Sequence, residues 1–187
     1  MTHETAIELR GITKIFGNVR ANDGVDLDVR KGEILALLGE NGSGKTTLMN
    51  MLSGIYRPDA GTIKLDGREV HITSPEDSKR LGIGMIHQHF KLVDVMTAAD
   101  NILIGASEKG FFLTKKRYTR AEEISVQYGL DLDMRKRVAD MSVGEKQTLE
   151  ILKVLYYGAR ILILDEPTAV LTPQETGRLF DTAFYAR

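Results

Sequence analysis

The feature that most constrains the fold is a glycine-rich loop between an apolar run and an amphipathic segment. Residues 34–38, ILALL, are continuously apolar and predict a buried strand. Residues 45–54, KTTLMNMLSG, predict a helix that Gly54 ends. The loop between them completes the pattern G-x-x-x-x-G-K-[ST] at residues 39–46, GENGSGKT. A strand, a glycine-rich loop and a helix in this order indicate an α/β fold that binds phosphate groups.

The residue types of this loop suit a nucleotide polyphosphate. Its glycines let backbone N–H groups turn inward around an anion, and the next helix presents its positive end. Lys45 can reach the β- and γ-phosphates, and the Thr46 hydroxyl can bind Mg²⁺, which prefers oxygen ligands. The alternative is a glycine-rich turn with an exposed lysine. We predict that the phosphate-binding residues are Gly39, Glu40, Asn41, Gly42, Ser43, Gly44, Lys45, Thr46 and Thr47.

An acidic pair follows a second apolar run, ILILDEP, at residues 161–167. Asp165 would bind Mg²⁺, through water, as the acidic residue of a phosphate-loop site does. Glu166 would face the attacking water and is the candidate general base or water-orienting group. The alternative is that the two acidic residues only begin a loop.

A glutamine ends a third apolar run, IGMIHQ, at residues 83–88. The Gln88 amide could contact Mg²⁺ or a water and couple the site to the segment that follows. The residues alone favour a plain surface glutamine over this role.

The segment MSVGEKQ, residues 141–147, has the pattern of a helix start. Ser142 can cap the helix, and Glu145 three residues later completes a capping box. The residues that follow carry an apolar stripe, which predicts a helix over 142–157. We call residues 141–147 the signature segment.

Elsewhere, apolar runs alternate with amphipathic stretches, as in an α/β fold with a mostly parallel core sheet. The alternating segments 7–12 and 25–29 predict antiparallel strands near the N-terminus. Residues 89–142 predict a small helical lobe inserted into a single domain that spans residues 1–187. A second capping-box pattern at 172–175 predicts the start of the last helix.

Composition argues against several other classes of protein. Basic and acidic residues number 25 and 26, and the net charge of −1 gives no field that would attract nucleic acid. The basic stretch 115–120 is interpreted as a solvated helix start. The chain has no cysteine, and its 4 histidines show no metal-ligand spacing. Its apolar runs are far shorter than the roughly 20 residues of a membrane helix, and the N-terminus is not typical of a secretory signal.

Taken together, the motifs resemble those of the ATP-binding cassette (ABC) ATPases. GENGSGKTT, the glutamine of MIHQHF, MSVGEKQ and ILILDEP follow the order and approximate spacing of that family over nearly the whole chain. The family's signature is usually written LSGGQ. It reads MSVGE here, with Ser142 and Gly144 retained, and Met141, Val143 and Glu145 in place of leucine, glycine and glutamine. The resemblance implies a P-loop NTPase of the ABC type.

The resemblance also implies roles for individual residues. Ser142 and Gly144 would face the γ-phosphate of ATP bound to a second cassette. Phe16 would stack on adenine, and Gln88 would link the nucleotide state to a transmembrane partner. The loop TAVLT, residues 168–172, stands where many members have S-A-L-D, with threonine in place of the aspartate.

Several stretches, GIYRPDAG among them, are similar to bacterial importers of simple sugars and nucleosides. These importers often carry two fused cassettes, and this chain resembles the first. The resemblance implies MgATP hydrolysis in a cassette dimer coupled to solute uptake. The implied partners are transmembrane permease subunits and, indirectly, a solute-binding protein, with no nucleic acid. The implied location is peripheral, at the cytoplasmic face of the cell membrane.

The family fold implies a further strand after the last helix, ending in a histidine. No residue follows Arg187, so we expect a fold that is incomplete at its C-terminus. One alternative is therefore a nucleotide-binding fragment without turnover. Another is a soluble ABC ATPase that acts on nucleic acid or ribosomes, which the near-neutral charge disfavours.

Overall fold

The structure is a computed structural model that describes residues 4–87, 90–104 and 115–165. The chain divides into two units, and the boundary lies between Ile83 and Gly84. The predicted division into one domain with a helical lobe at 89–142 stays a prediction.

The first unit contains an antiparallel sheet of four strands in the order β2-β1-β3-β4. Its strands are β1 (Thr5–Phe16), β2 (Val19–Arg30), β3 (Ala60–Leu65) and β4 (Arg68–Val70). A two-residue turn, Gly17 and Asn18, joins the first two strands. The alternating pattern of segments 7–12 and 25–29 correctly predicted antiparallel strands, although both strands are longer than the pattern indicated.

One face of β1 is buried, and a bulge in the strand returns Ile12 to that face. Ile7 lies opposite Leu65, and Leu9 lies opposite Ile63, and all of these side chains are buried. The β1–β2 register shifts between Leu9 and Ile12, so that Ile12 again lies in the core, with 0% exposure. An extra residue in one strand changes which face the following side chains occupy.

Two helices complete the described part of the first unit. Helix α1 (Lys45–Leu52) begins directly after the phosphate loop and buries Leu48, Met51 and Leu52. Helix α2 (Pro75–Arg80) begins with proline after Ser74, whose side chain accepts a hydrogen bond from Asp77 N. The helix predicted at 45–54 is confirmed. Sequence analysis did not predict α2.

The buried strand predicted at residues 34–38 is wrong. These residues form no strand, and Ile34, Leu35 and Leu38 are 46%, 40% and 92% exposed. An apolar run becomes a central strand only when neighbouring strands satisfy its backbone and cover both its faces. In the part of the chain that the structure describes, no strand pairs with this segment.

The described residues from Ile83 onward contain a two-stranded sheet and three helices. The strands β5 (Ile83–Ile86) and β6 (Ile161–Leu164) pair with each other. The helices are α3 (Ala98–Leu103), α4 (Lys115–Gln127) and α5 (Val143–Tyr156). The strand predicted at 161–164 is confirmed with the same bounds, and the helix predicted from 172 lies outside the described residues.

Helix α5 is central to the core of the second unit. Its stripe of Leu149, Leu152 and Leu155 is at most 5% exposed and belongs to one cluster with Ala98 and Ile102 of α3. A short 3-10 turn, Val138–Asp140, precedes α5 and adds Val138 to the same cluster. Within the described ranges, no helix is long and apolar enough to cross a membrane.

Candidate nucleotide-binding site

The phosphate loop, residues 39–46, enters α1 through a conformation that requires glycine. Gly44 caps the helix with φ of 88°, in the left-handed region. A Cβ atom at this position would lie 2.1 Å from the Ala21 carbonyl oxygen and 2.9 Å from Asn22 Nδ2. The last glycine of the motif therefore lets the loop pack directly on β2.

The Lys45 ammonium lies against the loop itself. Its Nζ donates to Gly39 O at 2.7 Å, to Glu40 O at 2.8 Å and to Ser43 Oγ at 3.2 Å. These acceptors are neutral, whereas a phosphate oxygen is charged and forms a stronger hydrogen bond with an ammonium. The first turn of α1 contains no acidic residue that would compete with an anion for the helix N-terminus. This donor set fits a polyphosphate.

Asn22 is a structural partner of the loop that sequence analysis missed. The side chain is 7% exposed, and its Nδ2 donates to Gly44 O at 3.3 Å. Its Oδ1 is buried and has no hydrogen-bond partner among the described protein atoms. The residue lies in a strand 22 positions before its partner, and no local pattern links the two.

Phe16, the predicted adenine-stacking residue, ends β1 and is 41% exposed. Its ring contacts Tyr56 edge to face, with ring centroids 5.1 Å apart and an angle of 72°. Lys14 Nζ lies 5.4 Å from the Phe16 ring centroid and pairs with Asp59 at 3.0 Å. An exposed aromatic ring supported along its edge suits stacking on a base. Sequence analysis did not identify Tyr56.

The side chains predicted to bind Mg²⁺ are the Thr46 hydroxyl and the Asp165 carboxylate. Thr46 is the second residue of α1 and is exposed. Asp165 directly follows β6, and its N–H donates to Ile86 O at 3.1 Å. A hydroxyl and a carboxylate are ligands that Mg²⁺ uses together with phosphate oxygens. These two side chains therefore fit the chemistry of the ion.

The signature segment forms the N-terminus of α5 with both bonds of a capping box. Glu145 N donates to Ser142 Oγ at 3.2 Å, and Ser142 N donates to Glu145 Oε2 at 2.7 Å. The predicted capping box is confirmed. Gly144 is half-buried in the first turn, and Val143 is 42% exposed. The first turn thus combines backbone N–H groups, a serine hydroxyl and the helix dipole, which together suit an anion.

The Glu145 carboxylate also pairs with Lys136, whose Nζ donates to Oε1 at 2.6 Å. The hydrogen bond from Lys136 and the one from Ser142 N lower the pKa of Glu145 below its usual range. The carboxylate is therefore ionised at neutral pH.

Two of the predicted residues, Gln88 and Glu166, lie outside the described residues. His87, next to Gln88, is described, and burial lowers its pKa, so that its imidazole is neutral at pH 7. The assignments of individual residues to ATP, Mg²⁺ and catalysis remain proposals.

A family comparison agrees with this set of motifs. The sequence profile of the ABC transporter family matches residues 22–169, which include the phosphate loop, the signature segment and the acidic pair. This chain belongs to the ABC transporter family. The family resemblance expected from the motifs is thereby confirmed.

Curated relatives of this ABC chain are named as import proteins. The guanosine import ATP-binding protein NupO of Bacillus subtilis is 52% identical over 94% of this chain. The nucleoside import ATP-binding protein NupA of Lactococcus lactis is 50% identical over 96% of it. The ribose import ATP-binding protein RbsA 1 of Streptomyces avermitilis is 46% identical over 93% of it. The chain spans only 35%, 36% and 34% of the lengths of these relatives.

Solved structures confirm the predicted fold class, that of an ABC ATPase cassette. The ADP conformation of MJ1267, an ATP-binding cassette of an ABC transporter, has a TM-score of 0.86 at 25% identity. That match covers 96% of this chain and 76% of the MJ1267 chain. A dimeric post-hydrolysis state of the ATP-binding cassette MJ0796, bound to ADP and Pi, has a TM-score of 0.74 at 25% identity. That match covers 94% of this chain and 80% of the cassette.

Proposed function

We propose that this chain is an ATP-binding and ATP-hydrolysing cassette that drives the uptake of a nucleoside or a simple sugar. The observation that carries the proposal is the phosphate loop, in which the Lys45 ammonium is held over the Gly39 and Glu40 carbonyls at 2.7 and 2.8 Å. The nature of the solute is supported by relatives named for guanosine, nucleoside and ribose import.

In this function, the loop N–H groups and Lys45 bind the β- and γ-phosphates of ATP. Thr46 and Asp165 bind the Mg²⁺ that accompanies the nucleotide, and Phe16 stacks on its adenine. When bound, Mg²⁺ neutralises charge that develops on the phosphate oxygens. Glu166 orients the water that attacks the γ-phosphate in line.

The complete site requires a second cassette. Ser142 and Gly144 of one cassette present the N-terminus of α5 to the γ-phosphate bound by the other, so that closure of the pair completes the donor set. Gln88 couples this closure to transmembrane permease subunits, and a solute-binding protein delivers the solute to them. The chain then acts at the cytoplasmic face of the membrane, without nucleic acid as a partner.

The test measures nucleotide affinity and solute uptake for a Lys45→Ala variant, in the protein assembled with its second cassette and permease. We expect loss of MgATP binding and of nucleoside or sugar uptake, because the variant lacks the ammonium that neutralises the phosphates. Lys64→Ala is a matched control, since Lys64 pairs only weakly with Glu8, at 3.9 Å, on the exposed side of β3. Unchanged MgATP affinity in Lys45→Ala would remove the assignment of the phosphate loop.

A further inference from the structure

The carboxylate of Glu145 places a negative charge at the end of the helix that the proposed function aims at ATP. Glu145 is the third residue of α5, and both of its oxygens accept hydrogen bonds, from Ser142 N and from Lys136 Nζ. The Lys136 and Glu145 side chains are 33% and 32% exposed, so solvent screens the pair only in part. Without a cation, this carboxylate would repel a phosphate that approaches the same helix end.

Lys136 reaches Glu145 from a backbone position that is fixed by α3. The Lys136 carbonyl accepts a hydrogen bond from Ala98 N at 3.0 Å. The next residue, Arg137, forms a bridge with Thr97, the residue that caps α3. Because the start of α3 holds the main chain at the Lys136 carbonyl and at Arg137, the Lys136 side chain extends to the carboxylate from a fixed backbone position.

Other nearby lysines are engaged elsewhere. Lys146, the next residue of α5, pairs with Asp94 at 3.4 Å. Lys153 pairs with Glu150 at 3.7 Å. Among the described residues, the cation that pairs with Glu145 is therefore Lys136.

We propose that Lys136 is a positioning residue for the nucleotide held by the facing cassette. It neutralises Glu145 at 2.6 Å, so that the N-terminus of α5 keeps a net attraction for the γ-phosphate. The inference rests on the proposed function and adds to it a residue outside the signature segment. It also explains how a glutamate serves where the family's signature usually has glutamine.

The test is a double-mutant cycle that compares Lys136→Met, Glu145→Gln and the variant that carries both substitutions. Each is made with Glu166→Gln, which blocks turnover under the proposed function. The measured quantity is the dissociation constant for MgATP-driven closure of the assembled cassette pair, reported by a distance probe between the two cassettes at increasing salt. We expect Lys136→Met to weaken closure roughly threefold to tenfold at low salt. The loss should shrink at about 1 M salt, where the screening length is near 3 Å.

The double variant decides between charge neutralisation and direct contact. With Glu145→Gln present, removal of Lys136 should change closure less than about twofold, because no carboxylate remains to be neutralised. Lys136→Arg should restore closure. Lys64→Met is the matched control, since it removes a cation outside the signature segment that pairs with Glu8 at 3.9 Å, and it should leave closure unchanged.

Three outcomes would overturn the inference. An undiminished effect of Lys136→Met in the Glu145→Gln background would mean that Lys136 acts through packing or touches the phosphate itself. If Lys136→Met does not change closure of the protein that carries only Glu166→Gln, the Glu145 carboxylate needs no neutralisation. If the parent binds MgATP without closing on its second cassette, the proposed function itself fails and the inference falls with it.

Discussion

Gly44 shows at the scale of one residue how the phosphate loop depends on a distant strand. Its positive φ, 88°, is shared by Gly42, at 85°. The two glycines differ in their surroundings, because Gly44 packs on the Ala21 carbonyl, whereas nothing lies within 4 Å of a Cβ built on Gly42. Substitution of the two residues therefore separates backbone strain from steric overlap.

We expect Gly44→Ala to destabilise the fold by more than about 2 kcal/mol, since it combines a left-handed alanine with a backbone clash. Gly42→Ala should cost only the conformational part, about 1–2 kcal/mol. Urea unfolding of both variants measures the difference. Equal losses of stability would show that contact with Ala21 contributes nothing.

Phe16 and Tyr56 form the other residue-scale feature of the site. We expect Phe16→Ala to raise the Kd for MgATP by about fivefold or more, because base–aromatic stacking contributes about 1–3 kcal/mol. Tyr56→Ala should produce a smaller increase, since it removes only the ring that supports Phe16 edge to face at 5.1 Å. Phe16→Tyr keeps a stacking ring and serves as the control. Isothermal titration with MgATP gives the constants, and an unchanged Kd in Phe16→Ala would reject the stacking role.

At the scale of the element, α3 and α5 begin with the same motif. Thr97 and Asp100 form a complete capping box at α3, as Ser142 and Glu145 do at α5. Only α5 carries the signature segment. The two helix starts therefore offer a comparison in which local stability is matched and the proposed role in nucleotide binding differs.

We expect Ser142→Ala and Thr97→Ala to lower the free energy of unfolding by similar amounts, about 0.5–2 kcal/mol each. Only Ser142→Ala should weaken MgATP-driven closure of the cassette pair, because it removes a hydroxyl proposed to face the γ-phosphate. Chemical unfolding and the closure measurement are made on the same samples. Equal weakening of closure by both variants would reduce the role of Ser142 to helix capping.

At the scale of the whole molecule, the apolar residues 34–38 are the largest departure from the expected fold. They precede the phosphate loop, and Leu38 is 92% exposed. The matched cassette MJ1267 is longer than this chain, which spans 76% of it. The four strands of the antiparallel sheet lie within residues 5–70, and the side chains on one face of that sheet are buried.

A ligand that binds the folded state raises the stability of the molecule that binds it. At about 100 times the Kd, MgATP should add roughly 2.7 kcal/mol, or about 5–10 °C in the unfolding midpoint of a chain of this size. We expect this shift with Lys45 present and none in Lys45→Ala. Thermal unfolding followed by circular dichroism measures both. An equal shift in the two proteins would mean that the nucleotide binds away from the phosphate loop.

Features that depend on neighbouring residues could be predicted from the sequence. The capping box at Ser142 and Glu145 spans four consecutive residues, and its two hydrogen bonds follow from helix geometry alone. The phosphate loop and α1 are likewise set by a short run of glycines and the residues after it. Period-two alternation similarly indicated β1 and β2, because a strand places successive side chains on opposite faces.

Features that join distant parts of the chain required the tertiary structure. Asn22 reaches Gly44, Phe16 meets Tyr56, and Lys136 pairs with Glu145 only after folding has brought their elements together. Whether residues 34–38 form a strand was also decided by the tertiary structure. Apolar composition favours burial, but a strand forms only where another strand supplies hydrogen-bond partners. The sequence by itself determined the local chemistry of each motif, and the tertiary structure decided which side chains support it, because those contacts have no short-range pattern.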